Sequence, residues 1–221
     1  MRRIGKLTIA AALPLVGLAT AARAQLSGIP VYYNPRGGVG VGVAGDLGFP
    51  GSKAGGGTAY GVSGSLGAGS LTLTAMVGSR SFENTSAQPS FGGNASVRLL
   101  GGGFLPAAVA VQAGFGTIKA GGVRTNTVPV GLGVSFDPPL FPLKPWIAPR
   151  YEFTQLTGLA GGNKSASSFR VSAGVNFNLL LGLGVHAAVD WGQVPAKLDP
   201  AKPNTLIIGV GAHFNFHIPL M

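Results

Sequence analysis

Without cysteine, acid–base or nucleophilic chemistry falls to histidines, carboxylates and hydroxyls, and this chain holds few of the first two. It has three histidines, His186, His213 and His217, and six Asp and Glu among 221 residues. Catalysis would need a histidine hydrogen-bonded to a carboxylate or serine where a substrate can arrive. His186 and Asp190 share a face if their segment is a strand, but four residues of extended chain separate them by about 13 Å. No other spacing supplies a dyad, so the chain is expected not to be an enzyme. The lack of cysteine excludes disulfides and thiolate metal sites. "GVGVAG" (Gly40 to Gly45) matches a dinucleotide-binding glycine pattern, yet it lies inside a strand-like segment with no helix after it. No catalytic, metal-ligating or cofactor-binding residue is expected, and no cofactor.

The charges are more informative. Asp46, Arg80, Arg98, Arg150, Glu152, Arg170 and Asp190 each fall on the polar face of an alternating segment. Ionised groups enclosed by a sheet must pair or stay hydrated. Four arginines and three acids are expected to gather as a cluster in a lumen, mostly toward its loop end. They would form a salt-bridged plug or line a narrow passage. Glycines of the same parity, among them Gly61, Gly78, Gly131, Gly174, Gly209 and Gly211, are expected to leave volume for water.

Those parities presuppose long strands, and the pattern supplies them. Period-two alternation runs through ten segments, at about 38–48, 58–67, 70–80, 93–104, 108–118, 125–136, 144–154, 168–178, 182–192 and 204–216. Most exceed the usual strand of about 5–6 residues and match the 9–11 of a tilted membrane-crossing strand. One face of each is Val, Leu, Ile, Ala and Phe; the other is Gly, Ser, Thr and Asn with scattered arginines. Longer connections such as "FPGSKAGGG", "KAGGVR" and "QVPAKLDPAKP" alternate with shorter ones such as "GAGS" and "NLLL". Phe104, Phe136, Trp146, Phe177, Phe214 and Phe216 are expected in an aromatic belt at the short-turn end. Phe115, Phe153, Phe169, Trp191 and Tyr60 are expected in a second belt at the loop end. Pro129 and Pro149 interrupt two strands and should cost ladder bonds.

Only 10% of residues are charged, against about 25% in soluble domains. Hydrocarbon requires every backbone amide to be paired, so a spanning sheet must close on itself. The expected fold is all-β, a closed antiparallel transmembrane barrel of about ten strands, with eight as the alternative. It would occupy residues 25–221. Residues 1–24 carry Arg2, Arg3 and Lys6, an apolar stretch from Leu7 to Ala22 and the Ala22-Arg23-Ala24 ending of a cleavable signal peptide.

The terminal run Gly211-Ala212-His213-Phe214-Asn215-Phe216 resembles the C-terminal recognition signal of bacterial outer-membrane β-barrel proteins, with Gly211, Phe214 and Phe216 in its defining places. The mature chain is similar in pattern to the small barrels of the OmpA-domain and OmpX-like kind. That resemblance implies residence in the outer membrane and insertion by the barrel assembly machinery. It also implies contact with outer-membrane lipid and lipopolysaccharide. A structural role in the envelope, with a narrow lumen for small solutes, is the leading expectation. Adhesion or ligand binding through the loops is the alternative, followed by a lipid-modifying barrel enzyme. The isolated basic residues follow no nucleic-acid-binding motif, so no nucleic-acid partner is expected.

Overall fold

The computed structural model describes residues 26–30, 39–83, 86–102, 105–138 and 141–217. The expected signal peptide and Phe104 lie outside the described residues. Ten strands follow in order: β1 (Gly40–Pro50), β2 (Ala59–Ala68), β3 (Leu71–Arg80), β4 (Gln88–Gly102), β5 (Leu105–Ala120), β6 (Val123–Phe136), β7 (Leu143–Thr157), β8 (Lys164–Asn178), β9 (Leu183–Gln193) and β10 (Asn204–His217). Each pairs antiparallel with its sequence neighbours, and β1 pairs with β10, so the sheet is a closed barrel. Closure leaves no unpaired strand edge, the arrangement a sheet requires where water is absent.

Alternation sorts the side chains. Along β10, Leu206, Ile208, Val210, Phe214 and Phe216 are exposed on the outer surface, whereas Thr205, Ile207 and His213 are buried in the lumen. The same division runs round the barrel, where Val43, Val62, Val77, Val97, Val130, Ile147 and Val189 all point outward and exposed. A soluble fold would bury these groups; this one encloses charge and displays hydrocarbon.

Five expectations meet corrections. The connection "KAGGVR" is not a longer loop. Strands β5 and β6 continue to a two-residue turn, Gly121-Gly122, with φ of 56° and 83°. Two successive positive φ values are what a type I′ hairpin turn demands, and glycine meets them without strain. Trp146 is not a belt residue, because its parity on β7 is inward and it is buried at 4% exposure. β4 and β8 start several residues earlier than their alternation suggested, at Gln88 and Lys164, since residues 88–92 and 164–167 continue the ladder without a sustained apolar row to mark it. The glycine-vacated lumen is the fourth and the single charge cluster the fifth, both described below. The prolines behave as expected. β6 and β7 interrupt their pairing between Gly131↔Arg150 and Val134↔Ile147, beside Pro149, and β5 and β6 interrupt theirs beside Pro129, with the register unchanged across each gap.

Candidate functional site: the lumen

Ten strands enclose more space than side chains of ordinary size fill. The sequence meets this by placing a bulky lumen residue directly opposite a glycine on the next strand. Trp146 faces Gly174, Arg150 faces Gly131, Arg170 faces Gly192, His186 faces Gly211 and His213 faces Gly184. A Cβ added at any of those five glycines would come under 3.0 Å from the side chain opposite. The glycines therefore admit large polar groups rather than leaving water-filled volume, which corrects the expectation from their number.

One network dominates the wall formed by β7 to β10. Asp190 is fully buried and sits between two arginines. Its Oδ2 accepts hydrogen bonds from Arg150 Nη2 and the Ser172 hydroxyl, both at 2.6 Å. Its Oδ1 accepts from Arg170 Nε at 2.9 Å and also from Nη2 of the same guanidinium. Arg150 reaches Ser172 at 2.7 Å and Glu152 at 3.4 Å. Arg170 donates to Thr205, whose hydroxyl passes the bond to the Gly192 carbonyl. Two arginines and two acids make this group electrically neutral. Buried charges of this kind persist only when paired and hydrogen-bonded on nearly every polar atom.

The seven charges picked out by parity do not form a single cluster. Arg150, Glu152, Arg170 and Asp190 come together as described. Asp46 stands apart: its Oδ1 lies 2.7 Å from His186 Nε2, and His186 Nδ1 lies 3.2 Å from His213 Nδ1, the two rings stacked with centroids 5.4 Å apart. This aspartate–histidine–histidine chain crosses β1, β10 and β9, and strand spacing alone could not reveal it, because His186 and Asp46 are 140 residues apart. Imidazoles in such a chain can hold or relay a proton. Both rings are buried, at 6% and 5% exposure. Arg98 is half-buried on β4 beside the bulge at Arg98/Leu100, toward the opposite end of the barrel from the Arg150 group.

Arg80 has a different function. It is buried at 6% exposure, and none of its hydrogen bonds goes to a carboxylate. Nη1 donates to the Ser27 hydroxyl at 2.8 Å, Nη2 donates to the Ala54 carbonyl, and the guanidinium carbon lies 4.2 Å from the Phe82 ring centroid. Ser27 belongs to residues 26–30, which are folded inside the barrel against β1 to β4 and β10. Leu26 and Ile29 are buried with Ala59. Leu26 lies over Gly61 and Gly78, the Gly28 carbonyl over Gly48, and the Pro30 ring over Gly209. The Ser27 amide donates to Ser90 at 3.1 Å. No sequence signal marked this segment, which carries neither periodicity nor charge; its apolar residues become legible only once the glycine row they cover is known. Gly211 of the expected insertion signal faces the lumen beneath His186, while Phe214 and Phe216 point outward.

No protein-family model matches this chain, and neither does any curated protein sequence. Solved structures do resemble it in fold. The N-terminal β-barrel domain of Pseudomonas aeruginosa OprF is 12% identical with a TM-score of 0.42, covering 81% of this chain and 99% of that one. The Escherichia coli outer-membrane protease OmpT is 8% identical at 0.46, covering 80% and 94%. The outer-membrane enzyme PagL is 12% identical at 0.40, covering 81% and 99%. These neighbours are bacterial outer-membrane β-barrels, and this chain is a closed ten-stranded barrel.

Proposed function

We propose that the protein is an exported outer-membrane barrel with a structural role in the envelope and a sealed lumen. The observation that carries this reading is the inversion of faces. Hydrocarbon lies outside on all ten strands, while a neutral, hydrogen-bonded charge network and residues 26–30 occupy the inside. The two fillings are complementary, the network lying on β7 to β10 and the segment against β1 to β4 and β10. A solute path would need hydrated charges along a continuous passage, whereas Asp190, Arg150 and Ser172 are almost without exposure. The loops that adhesion would use are small, and the β5–β6 connection is a bare glycine turn. Removal of residues 1–24 and insertion through the last strand, with Gly211, Phe214 and Phe216 as its signal, belong to the same reading. The mature chain refolded into a planar bilayer should show no steady conductance. Stepwise channels of uniform size would overturn the sealed lumen.

A further inference from the structure

The lumen wall of β2 to β4 changes character along its length. Toward the short-turn end its inward residues are Ser63, Ser65, Thr72, Thr74 and Asn94, all with partial exposure. The register Ser65↔Thr74 and Thr74↔Asn94 joins them into one patch of hydroxyls and an amide. Toward the loop end the same wall is glycine covered by residues 26–30, where Leu26 and Ile29 are buried at 4% and 7% exposure. A polar half therefore ends against an apolar stopper.

The stopper is lightly tied. Residues 26–30 add no strand to the sheet. Among the described residues, two hydrogen bonds fasten them to the wall, from the Ser27 amide to Ser90 and from Arg80 to the Ser27 hydroxyl. Behind them lies a cation without a counter-charge. Arg80 Nε has no hydrogen-bond partner among the described residues, and it faces Gly28, where an added Cβ would lie 3.1 Å from it. The other two guanidinium nitrogens donate to a hydroxyl and a carbonyl, both neutral. The contrast is with Arg150 and Arg170, which share Asp190. Burying an unpaired cation is costly, and a wall meant only to be packed has no need of one.

We propose that residues 26–30 are a removable plug, and that the passage they close selects small anions through Arg80. With the segment displaced, Ser27 and Gly28 no longer cover the guanidinium, and Nη1 and Nε turn to a passing anion. Gly48, Gly61, Gly78 and Gly209 become the wall of the opening, which continues into the Ser63–Asn94 patch. Arginine on a pore wall favours anions over cations. The plug rests on the sealed membrane barrel proposed for this chain and gives that seal a moving part.

Two variants displace the segment by different means. One is the mature chain shortened to begin at Val31. The other is Gly48→Ala, whose Cβ would lie 2.0 Å from the Gly28 carbonyl oxygen, with its three nearest atoms all in residues 28 and 29. That methyl pushes on the segment and spares the strands. In planar bilayers both variants should conduct where the full mature chain is silent. In a potassium chloride gradient their reversal potential should lie toward the chloride equilibrium value. Adding Arg80→Gln to the shortened chain should keep the conductance and abolish that displacement. In the full chain, the thiol of Ser27→Cys should react with a water-soluble reagent at least about tenfold faster than that of Ser135→Cys, because local release costs less than global unfolding. Ser135 is buried in the lumen wall on β6, at 6% exposure. Silence of both folded variants, a cation preference, an anion preference that Arg80→Gln leaves intact, equal labelling rates, or failure of both variants to refold each overturns the plug while the sealed barrel stands. Channels formed by the full mature chain overturn both.

Discussion

Replacing Asp190 by alanine should destabilise the barrel by about 3–5 kcal/mol, the range for removing one partner of a buried ion pair. The substitution deletes four hydrogen bonds and leaves Arg150 and Arg170 facing each other with only Glu152 between them. The measurement is urea unfolding of the refolded protein in phospholipid vesicles, followed by the fluorescence of Trp146 and Trp191. Replacing the whole group, with Arg150→Met, Arg170→Met and Asp190→Leu together, should cost much less, because desolvation of the charges disappears along with their attraction. A loss under about 1 kcal/mol for Asp190→Ala is the expectation for solvated surface pairs. It would mean that water reaches the network and that the lumen is open.

Val189→Arg should cost about 2–4 kcal/mol in the same assay, as expected for a cation placed on the lipid face of a barrel near mid-depth. Val189 lies midway along β9 and is 42% exposed on the outer surface. On a water-facing surface the same exposed substitution would move stability by about 0.5 kcal/mol or less. The size of the effect therefore reports what solvent covers that face. Val189→Leu keeps the face apolar and should be close to neutral.

How much of this was readable beforehand depended on range. Strand alternation is a property of adjacent residues, so β1, β2, β3, β9 and β10 were placed within two or three residues. The inward parity of Asp46, Arg150 and Asp190 came from the same local pattern. Partnership was hidden because it depends on register across strands: Asp46 meets His186 only after β1 closes on β10 and β10 pairs with β9. Trp146 looked like a belt residue because it sits near a strand end, although its parity relative to Ile147 already pointed inward. The glycines misled for a related reason. Read one strand at a time, Gly174 or Gly131 is missing volume; read across the ladder, each is the space into which Trp146 or Arg150 fits.

The most direct test of the account is the environment of the outer face. The chain has no cysteine, so single cysteines at Val185, Ala187 and Val189 can carry nitroxide labels without a background signal. In phospholipid vesicles, dissolved oxygen should relax all three more strongly than a water-soluble nickel chelate does, with the largest ratio nearest the middle of β9. If the chelate reaches the three positions as readily as oxygen, lipid does not cover these side chains and the account fails.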